Sequence, residues 1–196
     1  MRNWVQRQRS LMVMVFLMGL VNVAAAAVTW RYGEPPRSGV GGPIDLVDHR
    51  GQAFSLKRVQ GQVALVFFGF SHCSTVCPMA LFQAKQVLDA FKVRVAPTVL
   101  FVSLDPLNDD PEHLRSFLSR FDDRVIGLTG QPSAIQAVAD RYGVALQGRG
   151  AALEHSAKWY LIGPGGRVER VYDTRTEVAG LVEGIRQLQQ AGKGVP

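Results

Sequence analysis

Cysteine is almost absent from this chain of 196 residues: only Cys73 and Cys77 carry a thiol. No cysteine stands directly after the apolar run near the amino terminus, so nothing is there to carry the lipid of a lipoprotein. Basic residues never gather into a stripe. The formal net charge is +6, but Arg2, Arg7 and Arg9 lie in the leader, and no Lys/Arg cluster interleaved with aromatics follows them. Without that electrostatic footprint, no nucleic acid is expected as a partner. Internal repeats and low-complexity tracts are missing too. Charged residues make up 19% and hydrophobic ones 47%, a balance that argues against disorder and for one domain with a full core.

The longest patterned feature is the leader. Residues 1–9 are basic, residues 11–28 are almost unbroken apolar, and Ala24, Ala25, Ala26 and Ala27 offer a small-residue cleavage sequence. The segment reads as an export signal. Its apolar run is long for a signal core and approaches the length that spans a bilayer, with Trp30 and Tyr32 placed for the far interface. Residues 1–32 are therefore read as a retained membrane anchor, with a cleaved signal as the alternative. Either way the positive-inside rule carries the rest of the chain outward, where disulfides can persist.

Residues 33–43, GEPPRSGVGGP, are too rich in Gly and Pro for a helix or an interior strand and form a linker. The domain is expected over residues 44–192. Residues 44–47 and 53–56 flank the turn Asp48-His49-Arg50-Gly51 as a hairpin, and residues 63–70 are a continuous apolar run of buried-strand character. Strands are then expected at 98–104, 125–128, 157–162 and 167–172, and helices at 78–91, 111–121, 132–142 and 177–190. Alternation of this kind implies a layered α/β domain with helices covering a central sheet.

The cysteines stand in Ser71-His72-Cys73-Ser74-Thr75-Val76-Cys77-Pro78, just past the carboxyl end of the first buried strand, where open α/β sheets bind ligands. Pro78 suits the first turn of the next helix. Both sulfurs are thus expected in a strand-to-helix loop at a helix amino terminus, whose partial positive charge favours thiolate. A thiolate serves redox exchange and metal ligation alike, and an inert pair or a structural disulfide is the bland alternative. Three intervening residues fit neither the usual thioredoxin motif nor a complete metal site, so spacing alone does not choose.

Four segments in order, FFGFSHCSTVCPMAL, SLDPLNDDPEHL, GLTG and LEHSAKWYLIGPGGRV, resemble the Sco/SenC family over residues 42–171. The resemblance implies a thioredoxin-like fold with an N-terminal hairpin and a central mixed sheet, tethered to the inner membrane with its domain in the periplasm. A cleaved leader would instead leave it soluble in the periplasm. The family binds copper and helps build the copper centre of cytochrome c oxidase, so the implied cargo is a copper ion and the implied partner is the copper-bearing oxidase subunit. Other envelope thiol proteins are further candidates. The implied metal ligands are Cys73, Cys77 and His155, with Cys73 and Cys77 also the candidate redox pair.

Ligand chemistry agrees: two soft thiolates and an imidazole suit copper better than hard cations, and a closed zinc site would want a fourth ligand that is not evident. Asp105, which ends a strand on the cysteine side of the sheet, matches the family's Asp-Pro and is a candidate to hydrogen-bond around the metal site. Its plain reading is an Asp-Pro turn. His49 and His113 read as exposed, as does Glu154, while Lys158 and Trp159 read as strand packing or a rim around His155. The sequence departs from the family in two places: Ser74-Thr75-Val76 replaces Cys-Pro-Asp-type text without its acidic residue, and Asp105 to Pro111 runs DPLNDDP. Neither removes a ligand, although loop charge affects thiol pKa and docking. Metallochaperone, thiol–disulfide oxidoreductase and, more weakly, a peroxidase-like role are the functions to be separated, and whether the protein is an enzyme is left open by its sequence.

Overall fold

The computed structural model describes residues 33–91, 95–144 and 157–192, together with the backbone of 146–147 and 154–155. The expected anchor, residues 1–32, lies outside the described residues. Among the described residues, no helix is long and apolar enough to cross a membrane.

The first two strands, β1 (Asp45–Asp48) and β2 (Ala53–Ser55), pair antiparallel as the expected hairpin. The turn closes on side-chain chemistry. Asp48 Oδ1 accepts from the N–H groups of Arg50 (2.9 Å) and Gln52 (3.0 Å), and Gly51 supplies the positive φ of 77°. A short 3-10 turn, Leu56–Val59, leads into β3 (Ala64–Gly69), whose six residues are all buried. Its Ala-Leu-Val-Phe-Phe run lacks polar alternation because both faces of the strand are covered.

The remaining elements are α1 (Val76–Asp89), β4 (Thr98–Ser103), α2 (Pro111–Ser119), β5 (Val125–Thr129), α3 (Pro132–Arg141), β6 (Leu146–Gln147), β7 (Glu154–His155), β8 (Lys158–Ile162), β9 (Val168–Asp173) and α4 (Val178–Ala191). Seven strands form one mixed sheet in the order β2-β1-β5-β4-β3-β8-β9. β3, β4 and β5 run parallel at its centre, and antiparallel pairs lie on either side. β6 and β7 pair separately, Leu146 opposite His155. That ribbon is not anticipated in the sequence, because two-residue strands are too short to show a period.

Alternate residues of the central strands feed two cores. Leu65, Phe67, Val99, Phe101, Trp159 and Leu161 pack with α1, α2 and α4 on one face. Val66, Phe68, Leu100, Val102, Tyr160 and Ile162 pack with α3 and the hairpin on the other. The expected strands and helices are all present, with ends shifted by one or two residues.

His49 corrects one expectation. It is buried, with 7% of its surface exposed, because the hairpin turn packs against β5. His49 N–H donates to the Gly127 carbonyl, and Gly127 N–H donates to His49 Nδ1, both at 2.8 Å. Burial, then the nearby Arg50 charge, holds this imidazole below its ordinary pKa, despite the opposing effects of Asp48 and Gly127.

Candidate functional site

β3 runs out at Gly69, and the chain turns through residues 70–75 before α1 begins. Cys73 stands in that loop, half-buried. Cys77 does not: it is the second residue of the helix and has no exposed surface. Both cysteines are free thiols.

The two sulfurs occupy unlike environments. Thr75, the residue that precedes α1, makes no side-chain cap, so the first N–H groups of the helix need another acceptor. Cys73 Sγ takes that role, accepting from Cys77 N–H at 3.4 Å, as a capping oxygen would. Burial by itself would raise the Cys73 pKa. The N–H groups of Cys77 and Thr75, the Cys77 thiol and the Val76 N–H together outweigh it and bring the pKa below the ordinary thiol value. For Cys77 burial dominates and pushes its pKa well up, offset only in part by the Phe70 backbone. Cys73 is thus the sulfur inclined to ionise, and Cys77 is held as a thiol beside it. Gly69 allows this proximity: a Cβ at that position would stand 2.8 Å from Cys77 Sγ.

The loop is fastened by a carboxylate that sequence reasoning missed. Asp109, in the β4–α2 connection, is fully buried and ties that connection to the cysteine loop. Its Oδ2 accepts from Ser71 N–H (3.0 Å) and from the Ser103 hydroxyl (2.6 Å), and its Oδ1 accepts a short bond from the Ser71 hydroxyl. The signal in the sequence was slight. Asp109-Asp110-Pro111 reads as a helix start, and Asp110 does cap α2 by accepting from His113 N–H at 2.7 Å, with Pro111 opening the helix. Nothing local distinguishes the capping aspartate from its buried neighbour.

Asp105 is buried at the end of β4, but its carboxylate Oδ2 accepts from Asn108 Nδ2 (2.8 Å) within its own turn. Its N–H donates to Ser103 Oγ (3.1 Å), which joins it to the Asp109 network. The backbone of His155 is placed in β7, and its side chain lies outside the described residues, as does that of Glu154. Trp159 is buried packing, its Nε1 donating to Gln83 Oε1 (2.7 Å), and Lys158 beside it is half-buried. His113 is exposed, as expected.

The pair of sulfurs is chemically suited to a soft metal ion or to disulfide exchange, since each needs an ionisable, reachable thiol with a second sulfur next to it. Comparison with known proteins narrows the setting. The yeast (Saccharomyces cerevisiae) protein SCO2, mitochondrial, is 34% identical over 167 residues, covering 78% of this chain and 54% of its own length. The human protein SCO1 homolog, mitochondrial, is 35% identical over 136 residues, covering 65% of this chain and 45% of its own. The chain therefore spans about half the length of these relatives. Among solved structures, Bradyrhizobium japonicum ScoI with copper bound is 31% identical, with a TM-score of 0.70 over 76% of this chain and 99% of that one. Arabidopsis thaliana ScoI with copper bound is 28% identical, with a TM-score of 0.71 over 77% and 99%. The SCO1/SenC family model matches residues 33–190, which take in the whole sheet, both cysteines and the strand bearing His155, and the chain belongs to that family.

Proposed function

We propose that this protein is a copper metallochaperone that holds a copper ion through Cys73, Cys77 and His155 and passes it to, or maintains the thiols of, the copper site of cytochrome c oxidase during its assembly. The observation that carries the reading is the pair of free thiols at the start of α1, with Cys73 Sγ accepting from Cys77 N–H, in a chain whose relatives have been solved with copper bound. Two thiolates and an imidazole form a soft donor set that suits copper. The sheet register supports the third ligand. β8 lies antiparallel beside β3, with Trp159 opposite Phe67, so the start of β8, which β7 precedes in the chain, lies at the end of β3 that leads into the cysteine loop. Copper is cargo here: ligation by both sulfurs requires Cys77 to give up its proton, and transfer proceeds as a recipient's ligands replace these three. On this reading the domain works in the periplasm, tethered by residues 1–32 as a single anchor, with residues 33–43 as the linker and 44–192 as the copper-binding unit.

A second reading rests on the asymmetry of the thiols. Cys73 attacks a partner disulfide, and the partner's leaving sulfur departs as a thiolate. Cys77 then attacks Cys73, releasing the partner's other sulfur and leaving a Cys73–Cys77 disulfide, so that one disulfide is reduced as another forms. One experiment separates the two readings: copper affinity and disulfide-reductase activity of the full chain, measured with and without His155→Ala. Loss of copper affinity with retained exchange is expected. Unchanged copper affinity would remove His155 from the site.

A further inference from the structure

Beside the thiol pair lies a group of residues that it does not use. One ring nitrogen each of His72 and His113 and an Asp109 oxygen all lie within 4.8 Å of one another. They converge on the Ser71 hydroxyl, which is 3.2 Å from His72 Nδ1, 3.0 Å from His113 Nε2 and in very short contact with Asp109 Oδ1. The two imidazoles stack nearly parallel, with planes 9° apart and centroids 5.5 Å apart, and both rings are exposed on the outer side.

Two features argue for more than a surface hydrogen-bond cluster. Asp109 has no exposed surface and, among the described residues, no lysine or arginine pairs with it. Its three hydrogen-bond donors are all neutral, so a cation is the one partner the buried carboxylate lacks. Its orientation is also set from behind, by Ser103 Oγ and Ser71 N–H, as metal-ligating carboxylates usually are.

We propose that His72, His113 and Asp109 form a second metal site, for a borderline divalent ion of the Zn2+ or Cu2+ class, built from nitrogen and oxygen donors and separate from the thiol pair. Ligand bonds to such an ion are about 2.0–2.2 Å, so the two exposed imidazoles would turn out of their stack to aim at an ion held on Asp109, and a fourth position stays open to water or to Ser71 Oγ. The donor set differs from that of the cysteines: imidazole and carboxylate favour a divalent ion over a monovalent soft one. Because His72 adjoins Cys73, the two sites share a loop but no ligand.

The test uses the full, untagged chain carrying Cys73→Ala and Cys77→Ala, titrated with Zn2+ by equilibrium dialysis and with Co2+ by visible absorption. One equivalent of Zn2+ is expected to bind, and Co2+ should give d–d bands without sulfur-to-metal charge transfer. His72→Ala or His113→Ala in that background should weaken binding about tenfold or more, whereas His155→Ala should leave it unchanged. In the chain that retains its cysteines, His113→Ala should lower the Zn2+ stoichiometry by one, which keeps the test independent of how well the cysteine-free variant folds. No bound ion, binding insensitive to both His72 and His113, or binding lost on His155→Ala overturns the proposal. None of these outcomes bears on copper binding by the cysteines.

Discussion

At the scale of single residues, the two thiols differ by position along one helix turn. Cys73 takes the N–H groups that an uncapped helix leaves over, and Cys77 is sealed in the core. Since alkylation needs thiolate, the lowered Cys73 pKa shifts half-maximal reactivity to a pH below that of a free cysteine, and below that midpoint the rate falls as the sulfur reprotonates. With iodoacetamide near neutral pH, the native protein is expected to react once, at Cys73, and a second time only after unfolding. Peptide mapping that found both cysteines labelled at equal rates in the folded protein would contradict this. The pair itself was legible from the sequence, as was its place at the end of a buried strand. Asp109 was not, because its burial is produced by Ser71 and Ser103, which stand 38 and 6 residues away along the chain. His49 escaped for the same reason, since a polar residue in a hairpin turn is exposed unless another strand covers it.

At the scale of elements, strong periodicity and continuous apolar runs marked the interior of every long strand and helix. Their ends were less legible. α1 begins two residues before Pro78, which draws Cys77 into the helix, because Pro is tolerated anywhere in the first turn and not only at its first position. The hairpin illustrates how one element is locked to another: β1 pairs with β5, and the His49–Gly127 exchange closes the junction. That contact requires neutral His49. Its folded pKa is depressed, so the stability it contributes is complete above the unfolded value of about 6.5 and is lost as pH falls from there toward the folded pKa. His49→Asn, which keeps an acceptor near the Nδ1 position without a titrating ring, should flatten the decline in unfolding free energy between about pH 7.5 and 5. Identical pH slopes for the two chains, measured by urea denaturation, would count against the assignment.

For the whole molecule, the layering of helices over a sheet followed from the order of the elements, but which helix covers which face did not. It depends on crossovers that local pattern does not encode. The outcome is one sheet with a core on each side, Phe67 facing α1 and Phe68 facing α3. Phe67 lies 5.0 Å, centroid to centroid, from Trp159, and Phe68 lies 5.2 Å from Tyr142. Truncating either to alanine should cost about 3–5 kcal/mol through lost burial and the cavity left behind. Because both side chains belong to one strand, each variant should shift a single unfolding transition, followed by tryptophan fluorescence and far-UV circular dichroism together. Separation of the two signals would show that the cores melt independently.

The glycine that closes β3 has a further meaning for the cysteines. A Cβ on Gly69 would stand 2.8 Å from the sulfur of Cys77, which is thus backed against the strand and has the helix around it. Joining the sulfurs covalently brings them to about 2.05 Å, and seating an ion between them sets them farther apart. Of the two, only Cys73 sits on chain outside the helix and sheet. The pair therefore works as a clamp with one fixed jaw, and the stroke belongs to the loop carrying Cys73.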